Sequence, residues 1–257
     1  MKNRNITQLA FSCLVYGLSL GDLLSKEIEV APSADVGLLY SQTPPLRPNL
    51  LNGGSASIGA SLHSNAQGSG SCSLLRFDLS DLPRGAKILG ARLILNPVYS
   101  YPPERYPRNE ELCVFQVAPE NSDWIEGSGI SLKDPEIDPI MVPGSTGGYL
   151  NLQTFTNETT HEGVRWFSGT TISTVDFTGE MGSLALSEHG LVANQIVEIE
   201  LDAAAVQKWL LKPDLVKAGL ALWMRSDASL VSESRFAVFH SREDSVPPRL
   251  VISFTTD

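Results

Sequence analysis

Basic residues are scarce in this chain. Lysine and arginine number 19 against 29 aspartates and glutamates, leaving a formal charge of −10 over 257 residues. This balance argues against a nucleic-acid partner, whose binding needs a dense basic footprint. It leaves room for an anionic polysaccharide, because a local cluster can oppose the net sign. Histidine is scarcer still: His63, His161, His189 and His240 are scattered without metal-ligand spacing. No G-x-S-x-G elbow, H-E-x-x-H helix, P-loop or dinucleotide fingerprint occurs, so no catalytic residue is assigned. Carboxylate pairs for glycoside hydrolysis are set in space rather than in sequence, and nothing points to one. Beyond residue 21 no run is apolar enough to span a membrane, and there are no obvious internal repeats.

Cysteine is equally sparse, at three. Cys13 lies in an N-terminal stretch with the layout of an export signal. Lys2 and Arg4 precede a mostly apolar run over 6–20, and Ser19-Leu20-Gly21 presents small residues where a signal peptidase reads. Residues 1–21 are therefore expected to be a signal peptide cleaved before Asp22, giving a secreted or cell-envelope protein. The alternative is a short hydrophobic helix that stays on. Cys72 and Cys113 then remain, both in predicted strands. An oxidising compartment would permit a disulfide between them; otherwise they are two buried thiols packing as small hydrophobes.

What the chain does have is hydrophobicity at every second position. Over 73–95, Leu75, Phe77 and Leu79 alternate with Arg76, Asp78 and Ser80. After Pro83 and Gly85, Ala91, Leu93 and Leu95 alternate with Arg92, Ile94 and Asn96. We read this as a strand pair joined by a Pro-Gly turn, which needs an opposing sheet to bury its face. Further strands are expected from Ala34, near Ile58, over 112–117, 196–201, 219–224, 236–239 and 250–254. Gly219 to Met224 is apolar on both faces and reads as a central strand. Asp202 is placed to cap one helix over 203–211, with Val206, Trp209 and Leu210 inward and Pro213 as its stop. The predicted fold is all-β: a two-sheet antiparallel β-sandwich, a jelly roll, with one short helix. It would occupy 22–257 as one domain, with long loop insertions at about 97–109 and 130–157.

Several short motifs stand in order around this frame. They are Ala34-Asp35-Val36, the run LLRFDLSDLPRGAKILGARLIL, Trp124-Ile125-Glu126-Gly127, and Gly163-Val164-Arg165-Trp166. A helix ending in Val206-Gln207-Lys208-Trp209-Leu210 and a closing Ser241-Arg242-Glu243 before PPRLVISF complete the set. Together they resemble the DNRLRE-type domain, a jelly-roll family related to carbohydrate-binding modules. The resemblance spans about residues 28–255. It implies an exported module that binds polysaccharide, either at a cell surface or beside a catalytic domain. It also implies a structural calcium, since jelly-roll carbohydrate modules often hold one; Asp35 and Asp244 are the candidate ligands. Trp209 and Trp223 are assigned to the core.

The ligand-binding candidates come from the residues themselves. Sugar rings present flat C–H faces that stack on aromatic rings, while hydroxyls and carboxylates accept hydrogen bonds from arginine. Tyr99, Tyr101, Arg105, Tyr106 and Arg108 supply that combination on one proline-stiffened loop. The alternative is a loop whose tyrosines lie down on the sandwich. Trp124 and Trp166 are secondary ligand candidates, with loop anchors as the favoured alternative. Competing readings are a structural or adhesive module of an envelope or matrix assembly, and a polysaccharide lyase or hydrolase drawing on Arg105, Tyr106 and His161.

Overall fold

The computed structural model describes residues 25–40, 51–52, 57–62, 70–119, 122, 124, 126, 177–226 and 234–256. Residues 1–21, the 130–157 insertion, Trp166 and His161 lie outside them. The described residues form two antiparallel sheets. The smaller orders β1 (Lys26–Val30), β12 (Arg249–Thr256), β6 (Ala86–Leu95) and β9 (Val197–Leu201). The larger runs β11 (Arg235–His240), β4 (Ser57–Leu62), β5 (Gly70–Phe77), β10 (Leu220–Arg225), β7 (Glu111–Val117), β8 (Phe177–Ala185). On it, β2 (Pro32–Tyr40) also pairs with β5, and β3 (Leu51–Asn52) with β2. This is the β-sandwich expected from period-two alternation. β1 lies outside the expected strands, because three of its five residues, Lys26, Glu27 and Glu29, are charged and its partner β12 is remote in sequence.

The 73–95 stretch is not a hairpin. β5 belongs to the large sheet and β6 to the small one, so the segment between them crosses the sandwich. Leu79 and Leu82 are buried in that crossing. The hydrophobic faces therefore meet across the core rather than side by side. Leu75 and Phe77 from β5 join Ala91, Leu93 and Leu95 from β6 in one cluster, with Leu220, Leu222, Ile199, Leu250 and Ile252. Within β6 the inward parity flips between Ile88 and Ala91. Opposite Ser253/Phe254 the register skips Leu89, a bulge that turns Leu89 outward.

β10 is buried on both faces, as its composition requires. Leu220, Leu222 and Met224 point into the sandwich, while Ala221 and Trp223 join a second cluster on the far side with Val36, Leu74, Phe115 and Phe177. Cys72 and Cys113 belong to that second cluster and no disulfide joins them. The ladder explains why. Trp223 pairs with Cys113 on β7, and the β10–β5 register puts Cys72 on Trp223's other side. Two strand spacings separate the cysteines by roughly 9–10 Å, beyond the ~7 Å limit for bridging Cα atoms. Burial also pushes the Cys113 thiol up to about 12. Iodoacetamide is expected to leave Cys113 unmodified in the native protein and to alkylate it after unfolding in urea; labelling without denaturant would contradict its burial.

The helix Ala203–Trp209 is capped as predicted, Ala204 N donating to Asp202 Oδ1 at 2.8 Å. Gln207 extends the β6 ladder, accepting from Ile88 N (2.8 Å) and donating to Ala86 O (3.2 Å). Pro213 ends this helix but also opens a second, Pro213–Ala218, where its missing N–H costs nothing. A third short helix, Leu186–His189, follows β8.

Candidate functional site

The first half of the 97–109 loop is held mainly by backbone pairing to β11 and to residues 191–194. Pro97 bridges to Phe239 and Tyr101 to Leu191. Tyr101 N donates to Leu191 O (2.8 Å) and Leu191 N to Tyr101 O (2.6 Å). Ala193 N donates to Ser100 Oγ at 2.9 Å and Asn194 N to Pro97 O at 3.0 Å. Gly190 makes the close approach possible. Its φ of 60° suits glycine, and a Cβ there would lie 2.7 Å from Tyr101 O and 2.9 Å from Pro103 N. Gly190→Ala is expected to destabilise the protein by about 1–3 kcal/mol, read as a lower urea midpoint; an unchanged midpoint would show the loop free to shift.

On this anchored loop Tyr99 is 55% exposed. It meets the half-buried Tyr101 edge to face, the centroids 6.4 Å apart at 71°. A one-turn 3-10 helix, Pro103–Arg105, then presents Arg105 to solvent. Arg105 is close enough to Tyr101 for its charge to pull the phenol down, against the larger upward effect of burial. Exposed Val192 extends the apolar surface from the facing segment. Tyr99, Tyr101 and Arg105 therefore form one edge.

The other candidates divide. Arg108 is exposed, its backbone N donating to Glu110 Oε2 at 2.7 Å. Tyr106 is a core residue, 1% exposed, and its hydroxyl donates to Phe236 O at 2.7 Å. It cannot stack on a sugar. Behind it the buried Glu110 faces Arg235 at 3.6 Å and ties the end of the loop to β11. For Tyr106 the alternative reading of the sequence, a tyrosine lying down on the sandwich, is the one that holds; polar neighbours on a proline-rich loop look alike whether their aromatics stand out or turn in. Trp124 is likewise buried: Nε1 donates to Ala218 O (2.8 Å) and Arg76 stacks 4.0 Å over the ring. Arg76 also donates to the carbonyls of Lys217, Ser122 and Trp124. Trp124 is an anchor, not a ligand platform.

The acidic residues draw together at another corner. Carboxylate oxygens of Asp35 (β2), Glu126 and Glu243 lie within 4.8 Å of one another. Asp244 is not one of them; its Oδ2 lies 2.9 Å from His240 Nδ1 and its Oδ1 accepts from Ser245, and these neighbours hold its carboxyl below the ordinary range. Asp35 is fully buried. Its Oδ2 accepts from Arg242 N (2.7 Å), and burial pushes its carboxyl up to about 7. Arg242 Nε sits between Glu126 (2.7 Å) and Glu243 (2.9 Å). Compared with known proteins, the chain matches no family model and no curated sequence, so its functional reading rests on these two surfaces.

Proposed function

We propose that this chain is an exported, non-catalytic polysaccharide-binding β-sandwich that takes its ligand along the 97–109 edge. The observation carrying this reading is Tyr99, more than half exposed and held edge to face against Tyr101 on a loop pinned by backbone hydrogen bonds. An exposed ring in a fixed pose offers a sugar its flat face without ordering cost. Arg105, exposed on the same loop, supplies donors for hydroxyls or uronate carboxylates, so a charged polymer is favoured over a neutral one. Arg108 adds positive charge further along the same loop.

Affinity electrophoresis through gels containing alginate-, pectin- or chitin-like polymer tests this. At least one polymer is expected to retard the wild type, and Tyr99→Ala with Tyr101→Ala to weaken retention by about ten-fold or more, equivalent to ~1.4 kcal/mol. Arg105→Ala should weaken binding to the uronate polymers more than to chitin. Equal retention of wild type and double variant would refute this edge. Unsaturated products on incubation with uronate polymers would replace the binding reading with a lyase.

A further inference from the structure

We infer that Asp35, Glu126 and Glu243 form a site for one hard divalent cation, calcium. The three residues come from distant parts of the chain, yet their carboxylate oxygens converge within 4.8 Å. That separation fits oxygens arranged around a shared ion at about 2.3–2.6 Å. The second observation is independent of the clustering. Asp35 is fully buried, its carboxylate is turned into the group, and its Oδ1 has no hydrogen-bond partner among the described residues. A buried carboxylate oxygen without a donor is costly, and it calls for a proton or a cation. A proton would meet one oxygen; an ion meets all three carboxylates at once.

Charge favours the ion. Arg242 is the guanidinium among these carboxylates, bonded to Glu126 and Glu243, so three negative groups and one positive leave a net charge of two negatives. A divalent cation brings the cluster to neutrality. The ligands are all carboxylate, which suits calcium. Three converging side chains supply one oxygen each, and calcium accepts such an irregular set, completed by water, more readily than magnesium with its strict octahedron. The surroundings are fixed before any ion arrives: Asp35 N donates to Glu126 Oε1 (3.3 Å), and Glu243 Oε2 accepts from Ser241 Oγ (3.0 Å). The ion would tie β2 to Glu126 and to the turn carrying Glu243, a joint separate from the tyrosine edge.

Calorimetric titration of the full chain, stripped with EDTA and desalted, with calcium chloride tests this. One calcium per chain is expected, with a rise in melting temperature that EDTA reverses. Asp35→Asn should abolish binding. Glu243→Gln removes a more exposed ligand and keeps an acceptor for Ser241 Oγ, so it should still fold and melt cooperatively in EDTA while weakening calcium by ten-fold or more. Asp244→Asn should bind like the wild type. Absence of binding heat together with identical melting in calcium and EDTA would overturn the site. So would retained affinity in Glu243→Gln, or magnesium bound as tightly as calcium. None of these results depends on polysaccharide binding.

Discussion

Replacing Gln116 with leucine is expected to lower the unfolding free energy by about 2–4 kcal/mol. Gln116 is only 5% exposed and stands where three elements meet the end of β7. Its Oε1 accepts from Trp209 Nε1 at 2.5 Å, and its Nε2 faces the carbonyls of Val117 (3.1 Å), Leu215 (2.9 Å) and Gly219 (2.9 Å). Leucine fills much the same volume, so the loss reads polar satisfaction rather than a cavity. Leu215 O and Gly219 O keep backbone donors from Gly219 N and Val117 N. The group left stranded is the Trp209 indole N–H, deep between the helix Ala203–Trp209 and the sheet. A second substitution isolates it. Trp209→Phe removes that donor, so adding it to Gln116→Leu should cost less than it costs the wild type, by about 1 kcal/mol or more. Urea denaturation of the four proteins gives the cycle. Additive losses would mean that Gln116 matters only through its contacts with the carbonyls.

The same residue shows which parts of the architecture a linear reading reaches. Val197, Ile199 and Leu201 against Glu198 and Glu200, or Asp202 before three alanines, declare themselves because their physics is local. The two-faced apolarity of Gly219 to Met224 does so too, since only a central strand hides both sides. Gln116 looked like any polar residue in a strand, and its role depends on a helix closed over it from residues 203–209. The crossing between β5 and β6 failed for a related reason. Pro83 and Gly85 make a turn whether the chain doubles back or passes to the opposite sheet. The clue lay in Leu79 and Leu82, buried residues that a surface hairpin turn would not carry. Tyr106 and Trp124 were aromatics in loops, and an aromatic's exposure is decided by what lies beneath it. The acidic corner was half legible. Ala34-Asp35-Val36, Trp124-Ile125-Glu126-Gly127 and Ser241-Arg242-Glu243 each drew notice separately, but no spacing in sequence announces that three carboxylates meet in space.

In the presence of EDTA, Asp35→Asn is expected to be more stable than the wild type at pH 8 and to converge with it near pH 4. The ordinary aspartate value applies to the unfolded chain, whereas burial raises the folded carboxyl to about 7. Between those values the native state binds the extra proton, so this group's contribution to stability falls as pH rises toward 7. Above pH 7 both states are ionised and the penalty is complete, on the order of 4 kcal/mol at most. Below the unfolded value both are protonated and the penalty vanishes. Asparagine imitates the protonated acid: its carbonyl can accept from Arg242 N as Asp35 Oδ2 does, and its amide can donate toward the neighbouring carboxylates. Taking the difference between the two proteins cancels the titration of groups far from the corner, whose own carboxylates run with the opposite sign. Calcium at pH 8 should invert the order, because the ion stabilises the ionised aspartate and asparagine offers it no charge. Denaturation curves at pH 4, 6 and 8 in EDTA and in calcium would show both effects. A difference that stays flat with pH in EDTA would mean that Asp35 ionises in the native protein as readily as in the unfolded chain. An unreversed order in calcium would count against the ion alone.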